Sequence, residues 1–115
     1  MDTLSSGLTK ELYDMLQPES KLFVDLCLRL IQVHLIKAQD YGNDNSPLGN
    51  FEAAVDLGLT PLQGILVRMS DKWARIQTFM KRGQLKNESF DDSLIDLAAY
   101  SLLALVVHRR PNGPK

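Results

Sequence analysis

Cysteine is nearly missing from this chain: Cys27 is the only one in 115 residues. A single thiol excludes an internal disulfide framework and a multi-cysteine zinc site, and it fits a reducing compartment. Because Cys27 falls in an apolar helical pattern, it is expected as an inert core thiol. An excess of one charge is missing too. Lys and Arg number 13 against 14 Asp and Glu, for a formal net charge of -1 and a pI near 6.1. That leaves no basic footprint of the kind duplex nucleic acid calls for. Long hydrophobic runs are also lacking. The longest apolar-rich stretch, Leu94 to Val107, is interrupted by Asp96 and falls well short of the roughly 20 residues needed to cross a bilayer. The opening MDTLSSGLTKELYDML has no basic segment leading into an apolar one, so no secretory signal and no membrane partner are expected, and the location expected is cytoplasmic. No stretch alternates with period two for long enough to suggest a sheet, and no internal repeat stands out.

What is present is helical punctuation. Hydrophobic residues make up 44% and charged residues 23%, the balance of an ordinary globular chain, and the length fits one domain over 1–115. Leu8, Leu12, Met15 and Leu16 predict a short first helix that stops before Pro18. A second runs from about Glu19 to Gln39 and ends in the turn-rich DYGNDNSPLG. Asn50 is placed to cap a short third helix, FEAAVDL, closed by Gly58. Thr60 before Pro61 is a cap followed by proline at the first helical position, and Gly83 after Lys81 and Arg82 ends that fourth helix. Ser89, with Asp92 three residues on, opens a last helix that ends near Arg109, before a frayed tail at about 110–115. The fold class expected is all-α: an antiparallel bundle of three long and two short helices.

On a wheel of about 100° per residue, Leu62, Ile65, Leu66, Met69, Trp73, Ile76 and Met80 of the fourth helix fall in one arc, the expected core stripe. Arg68, Asp71, Lys72 and Arg75 fill a neighbouring arc, bordering the first through Phe79. The rest of the surface carries Gln63, Val67, Ser70, Ala74 and Gln77, a weakly charged face. The last helix is apolar nearly all round and reads as central and buried. Within it Asp92 and Asp96 stand at i and i+4, and a buried carboxylate such as Asp96 needs a counter-charge. Lys72, Arg75 and Arg68 are the obvious supply; a metal shared with Asp71 is the alternative. On the second helix His34, Lys37 and Tyr41 lie opposite the polar stripe of Lys21, Asp25, Arg29, Gln32 and Gln39. They lead into a loop whose amides and hydroxyls suit the edge of a nucleobase.

The pieces KAQDYG, GNF, RMSDKWAR and ESFDDSLIDLAAY, in this order, resemble a phage and bacterial family called the nucleotide modification associated domain, itself similar to the MazG-like all-α nucleotide pyrophosphohydrolases. The resemblance covers roughly residues 34 to 108. It implies a helical, often oligomeric fold with a nucleoside phosphate site between helices. MazG-like members hold Mg²⁺ with the carboxylates of an EExxE helix and an ExxD helix. Here Asp71, Lys72 and Arg75 stand where EExxE would, and Asp92 and Asp96, spaced four apart instead of three, stand where ExxD would. Asp71, Asp92 and Asp96 therefore carry over as candidate metal ligands and catalytic carboxylates, and the basic replacements suit direct binding of phosphate. His34, Lys37, Tyr41, Asn50, Arg68, Lys72, Arg75 and Tyr100 complete the candidate substrate site. The leading functional expectation is a Mg²⁺-dependent nucleoside triphosphate pyrophosphohydrolase. The alternatives are a binder that holds a nucleotide or nucleotide-derived signal without turnover, an accessory to nucleotide modification, and a bundle whose ion pairs only fix helix register. The weakly charged 67, 70 and 74 face and the apolar last helix together predict a homo-oligomer.

Overall fold

The computed structural model describes residues 9–41, 57–85 and 88–110. Four α-helices lie within them: α1 (Lys10–Asp14), α2 (Pro18–Tyr41), α3 (Pro61–Arg82) and α4 (Phe90–Arg109). No strand occurs among the described residues, so the all-α expectation holds at that level. The short helix expected over FEAAVDL lies outside the described residues but for Leu57, as do Asn50 and the tail after Arg110.

The boundaries follow local chemistry. Thr9 caps α1 by accepting from the Leu12 amide, and α2 begins on Pro18, whose missing N–H costs nothing in a first turn. Thr60 and Gln63 form a reciprocal capping box at the start of α3, and Gly83, at φ 75°, ends it in the left-handed conformation. Ser89 Oγ accepts from the Asp92 amide to open α4.

The chain divides inside α2 into two compact units, 1–33 and 34–115. In the first, the Tyr13 hydroxyl donates to Asp25 Oδ1 at 2.9 Å, which raises the Tyr13 pKa, and Lys21 Nζ stands 5.8 Å from the centre of the Tyr13 ring. Cys27 is exposed, which corrects the expectation of a core thiol.

The second unit is built on α3 and α4 packed antiparallel. Ile65 and Val107 are fully buried between them, with Leu62, Met69, Tyr100, Leu103 and Ala104 packed around. Burial on α3 then steps through Lys72 to Ile76. This corrects the expected core stripe. Leu66, Trp73 and Met80 are exposed, and Lys72, assigned to the charged arc, is buried on the seam. A narrow seam toward one helix takes residues four and three apart, so positions a further 60–100° round miss it. For the same reason α4 is less buried than its composition predicts: only Ser93 and Val107 are buried in it, while Leu94, Leu102, Leu105 and Val106 are exposed.

Candidate functional site

Lys72 occupies a position where the seam calls for an apolar side chain. It shares the buried face of α3 with Ile65 and Ile76, and only 9% of its side chain is exposed. A buried ammonium needs anionic partners, and it has two among the described residues. Nζ lies 2.7 Å from Glu88 Oε1 and 2.9 Å from Asp96 Oδ2. Glu88 precedes the Ser89 cap of α4 and is anchored from inside that helix, where the buried Ser93 Oγ donates to Glu88 Oε2. Arg75 Nε approaches the same oxygen at 3.7 Å. Asp96 receives a second cation from α2, as Lys37 Nζ sits 2.9 Å from its Oδ1. Lys37 lies in the same compact unit as Asp96, so one unit supplies the whole cluster.

The electrostatics are those of a compensated cluster. For Lys72, burial opposes the charged form, but the hydrogen bonds with Glu88 and Asp96 outweigh it and the pKa is raised. For Glu88, burial pushes the other way, yet Lys72 and Ser93 hold the pKa below the ordinary glutamate value. For Asp96, burial is likewise overcome by Lys37 and Lys72. All these groups are thus ionised near neutrality. Among the described residues, three cations then meet two carboxylates, leaving one positive charge over within the cluster. The outer two cations are open to solvent, with 45% of the Lys37 side chain and 42% of that of Arg75 exposed.

The residues singled out from the sequence separate into groups. Lys37, Lys72, Arg75 and Asp96 come together, so the counter-charge that Asp96 requires is supplied by Lys72 and Lys37. Arg68 and Tyr100 form a neighbouring pair, in which a hydrogen bond with Tyr100 raises the Arg68 pKa. Asp71 is exposed and stands 4.0 Å from Arg68, and Asp92 is exposed at the start of α4. His34 is half-buried on α2, Tyr41 is the last residue of that helix, and Asn50 lies outside the described residues. Glu88 and Ser93 are the members that sequence reasoning did not assign. Glu88 sits before the helix cap, where a helical wheel has no meaning, and Ser93 looks like any small residue of an apolar helix.

Mg²⁺ requires several oxygen ligands converging on one point. Asp96 meets a lysine at each oxygen, and Asp71 pairs with Arg68 on the surface. Among the described residues no three His, Cys, Asp or Glu side chains are placed to hold a metal ion. As arranged, Asp71, Asp92 and Asp96 do not fit a shared Mg²⁺. No helix among the described residues is long and apolar enough to cross a membrane. Compared with family models, curated proteins and solved structures, the chain matches none.

Proposed function

We propose that this chain is a nucleotide-binding domain of the MazG-like all-α kind, in which Lys37 and Arg75, braced by Lys72, Glu88 and Asp96, meet the phosphates. The observation that carries this reading is the cation excess: two half-exposed basic side chains flank a nearly buried ion cluster that holds them in place. A held cation loses less freedom on meeting an anion than a free surface lysine, and Arg presents a planar fork suited to phosphate oxygens. The resemblance of RMSDKWAR and ESFDDSLIDLAAY to nucleotide-handling families supports the choice of phosphate ligand. The donor set favours holding the nucleotide over hydrolysing it, because lysines occupy the carboxylate that a metal would need. The Mg²⁺-dependent pyrophosphohydrolase remains the competing proposal, and one experiment separates the two. A panel of nucleotides is tested by thermal shift with and without Mg²⁺, and each mixture is then resolved chromatographically. Stabilisation without products, indifferent to Mg²⁺, is the expected outcome. Monophosphate and pyrophosphate formed only with Mg²⁺ would establish the hydrolase, and no stabilisation by any nucleotide would leave a purely structural cluster.

A further inference from the structure

We infer that Ser93 is a positioning residue for the phosphate contact, acting through Glu88 to aim the outer end of Arg75. This role rests on the phosphate-binding reading of Arg75 and belongs to a residue with no charge of its own. Ser93 is fully buried in α4, the helix that supplies Val107 to the core. Alanine would fill that position and favours a helix more, so the buried hydroxyl calls for a reason. Other hydroxyls of α3 and α4 show the ordinary behaviour. Those of Ser70, Thr78 and Ser101 each donate to a carbonyl three or four residues back in their own helix. The Ser93 hydroxyl also has such a carbonyl, that of Ser89 at 3.2 Å, but Glu88 Oε2 is closer. A hydroxyl has one hydrogen to give, and here the carboxylate takes it.

Glu88 stands before the Ser89 cap, so no helical backbone ladder fixes it. Two side chains do. Lys72 Nζ holds Oε1 at 2.7 Å and Ser93 Oγ holds Oε2, so the plane of the carboxylate is set at both oxygens. Neutralising Lys72 asks for less than this, since Asp96 Oδ2 already lies 2.9 Å from Nζ. The second oxygen faces Arg75, whose Nε stands 3.7 Å from Oε2. A guanidinium is planar and carries five N–H donors, one on Nε and four on the two Nη atoms. Arg75 has no other hydrogen-bond or ion-pair partner among the described residues, and 42% of its side chain is exposed. With Nε turned to Glu88, the Nη end is left as a fork able to take two oxygens of one phosphate. Without the Ser93 hydroxyl the carboxylate pivots on Lys72, and Arg75 keeps its charge but loses its aim. An unaimed side chain must be ordered at the moment of binding, which weakens the contact.

The test is a double-mutant cycle on the binding of inorganic pyrophosphate, measured by calorimetry on the whole chain without divalent metal. Arg75→Ala is expected to weaken binding about tenfold or more, the loss of a charge-assisted contact. Ser93→Ala changes no charge and is expected to weaken it about three- to tenfold. In the Arg75→Ala background, Ser93→Ala should weaken binding by less than about twofold, because no fork is left to aim. A serine that only supports the fold would weaken binding equally in both backgrounds, and that outcome overturns the role. Glu88→Gln supplies a second measurement, decisive if Ser93→Ala loses helicity by circular dichroism. Neutralising a carboxylate beside Arg75 should tighten anion binding by Coulomb attraction alone, whereas loss of the brace weakens it. Weaker binding is the expected result, and tighter binding overturns the role. A parent that binds neither pyrophosphate nor any nucleotide ends the phosphate reading and the role of Ser93 with it. A parent that binds, with losses that simply add, overturns the role of Ser93 alone.

Discussion

Arg68–Asp71 and Lys72–Asp96 are ion pairs that start from neighbouring turns of α3, and they differ in every respect that sets energy. The first is local, 4.0 Å apart, with both side chains more than half exposed. The second joins two helices at 2.9 Å with 9% and 14% of the side chains exposed. Water already solvates Arg68 and Asp71, so their attraction adds little. Lys72 and Asp96 have given up most of their water, so each depends on the other and on Glu88 and Lys37. The charged stripe of α3 is thus two things: an outer set that water already solvates, and an inner set that fixes how α3 and α4 meet.

The comparison breaks most severely at Lys72. Lys72→Met keeps the stem but strands Glu88 and Asp96, and a loss of about 3–5 kcal/mol in urea unfolding is expected. Adding Glu88→Gln and Asp96→Asn to that variant should recover most of the loss, since a buried cluster replaced as a whole costs far less than one left without a partner. Asp96→Asn alone should cost about 1.5–3 kcal/mol, because the amide oxygen still accepts from one lysine. A variant as stable as the parent would mean that Asp96 is not held by Lys37 and Lys72 in solution.

The pH dependence acts on the same inner set. The pKa values of Glu88 and Asp96 are lowered on folding, so their contribution is fully present above the unfolded values near 4 and is lost as pH falls through the folded ones. The Lys72 pKa is raised, so its contribution is present below about 10.4, the unfolded value, and is lost as pH rises through the folded one. Stability measured from about pH 5 to 10 should be flat in this respect and should fall on both sides. Lys72→Met should flatten the alkaline limb; an unchanged limb would assign it to other groups.

The outer set should respond oppositely. On the phosphate-binding reading, Arg75→Ala should weaken nucleotide binding by the loss of a charge-assisted contact, about 1.5–3 kcal/mol in affinity, while stability changes by under about 1 kcal/mol; Lys37→Ala should weaken binding similarly but cost more stability, because it also takes one of the two lysines from Asp96. Early melting with unchanged affinity would move either residue to the inner set. The smallest effect belongs to Asp71→Asn, expected within about 0.5 kcal/mol by the same unfolding assay.

Helix boundaries were legible in the sequence wherever a side chain satisfies a terminal backbone group: Thr60, Gly83 and Ser89 each stand where the caps were expected. The convergence of Lys72 on Asp96 was legible as well, because a carboxylate in an apolar helix demands a cation. Two things were not. Periodicity gives the width of an apolar arc but not which part of it meets a neighbour, so Trp73 and Met80 were assigned to the core while Lys72 holds the seam. Nor was the placement of Asp71 legible, because spacing within α4 says nothing about where α3 presents it, and among the described residues it stands by Arg68.

The separations along the chain in this cluster set an order of assembly. Lys72 and Glu88 are 16 residues apart, across a turn that Phe79 and Phe90 brace by stacking with ring centres 4.2 Å apart. Lys37 and Asp96 are 59 residues apart, and closing that longer loop costs on the order of 1 kcal/mol more in chain entropy. On loop-closure entropy alone, the α3–α4 hairpin with its buried lysine is expected to form before α2 docks through Lys37. Folding would then proceed in two kinetic stages, with the earlier contacts slowing refolding when mutated and the Lys37 contact affecting mainly the rate of unfolding.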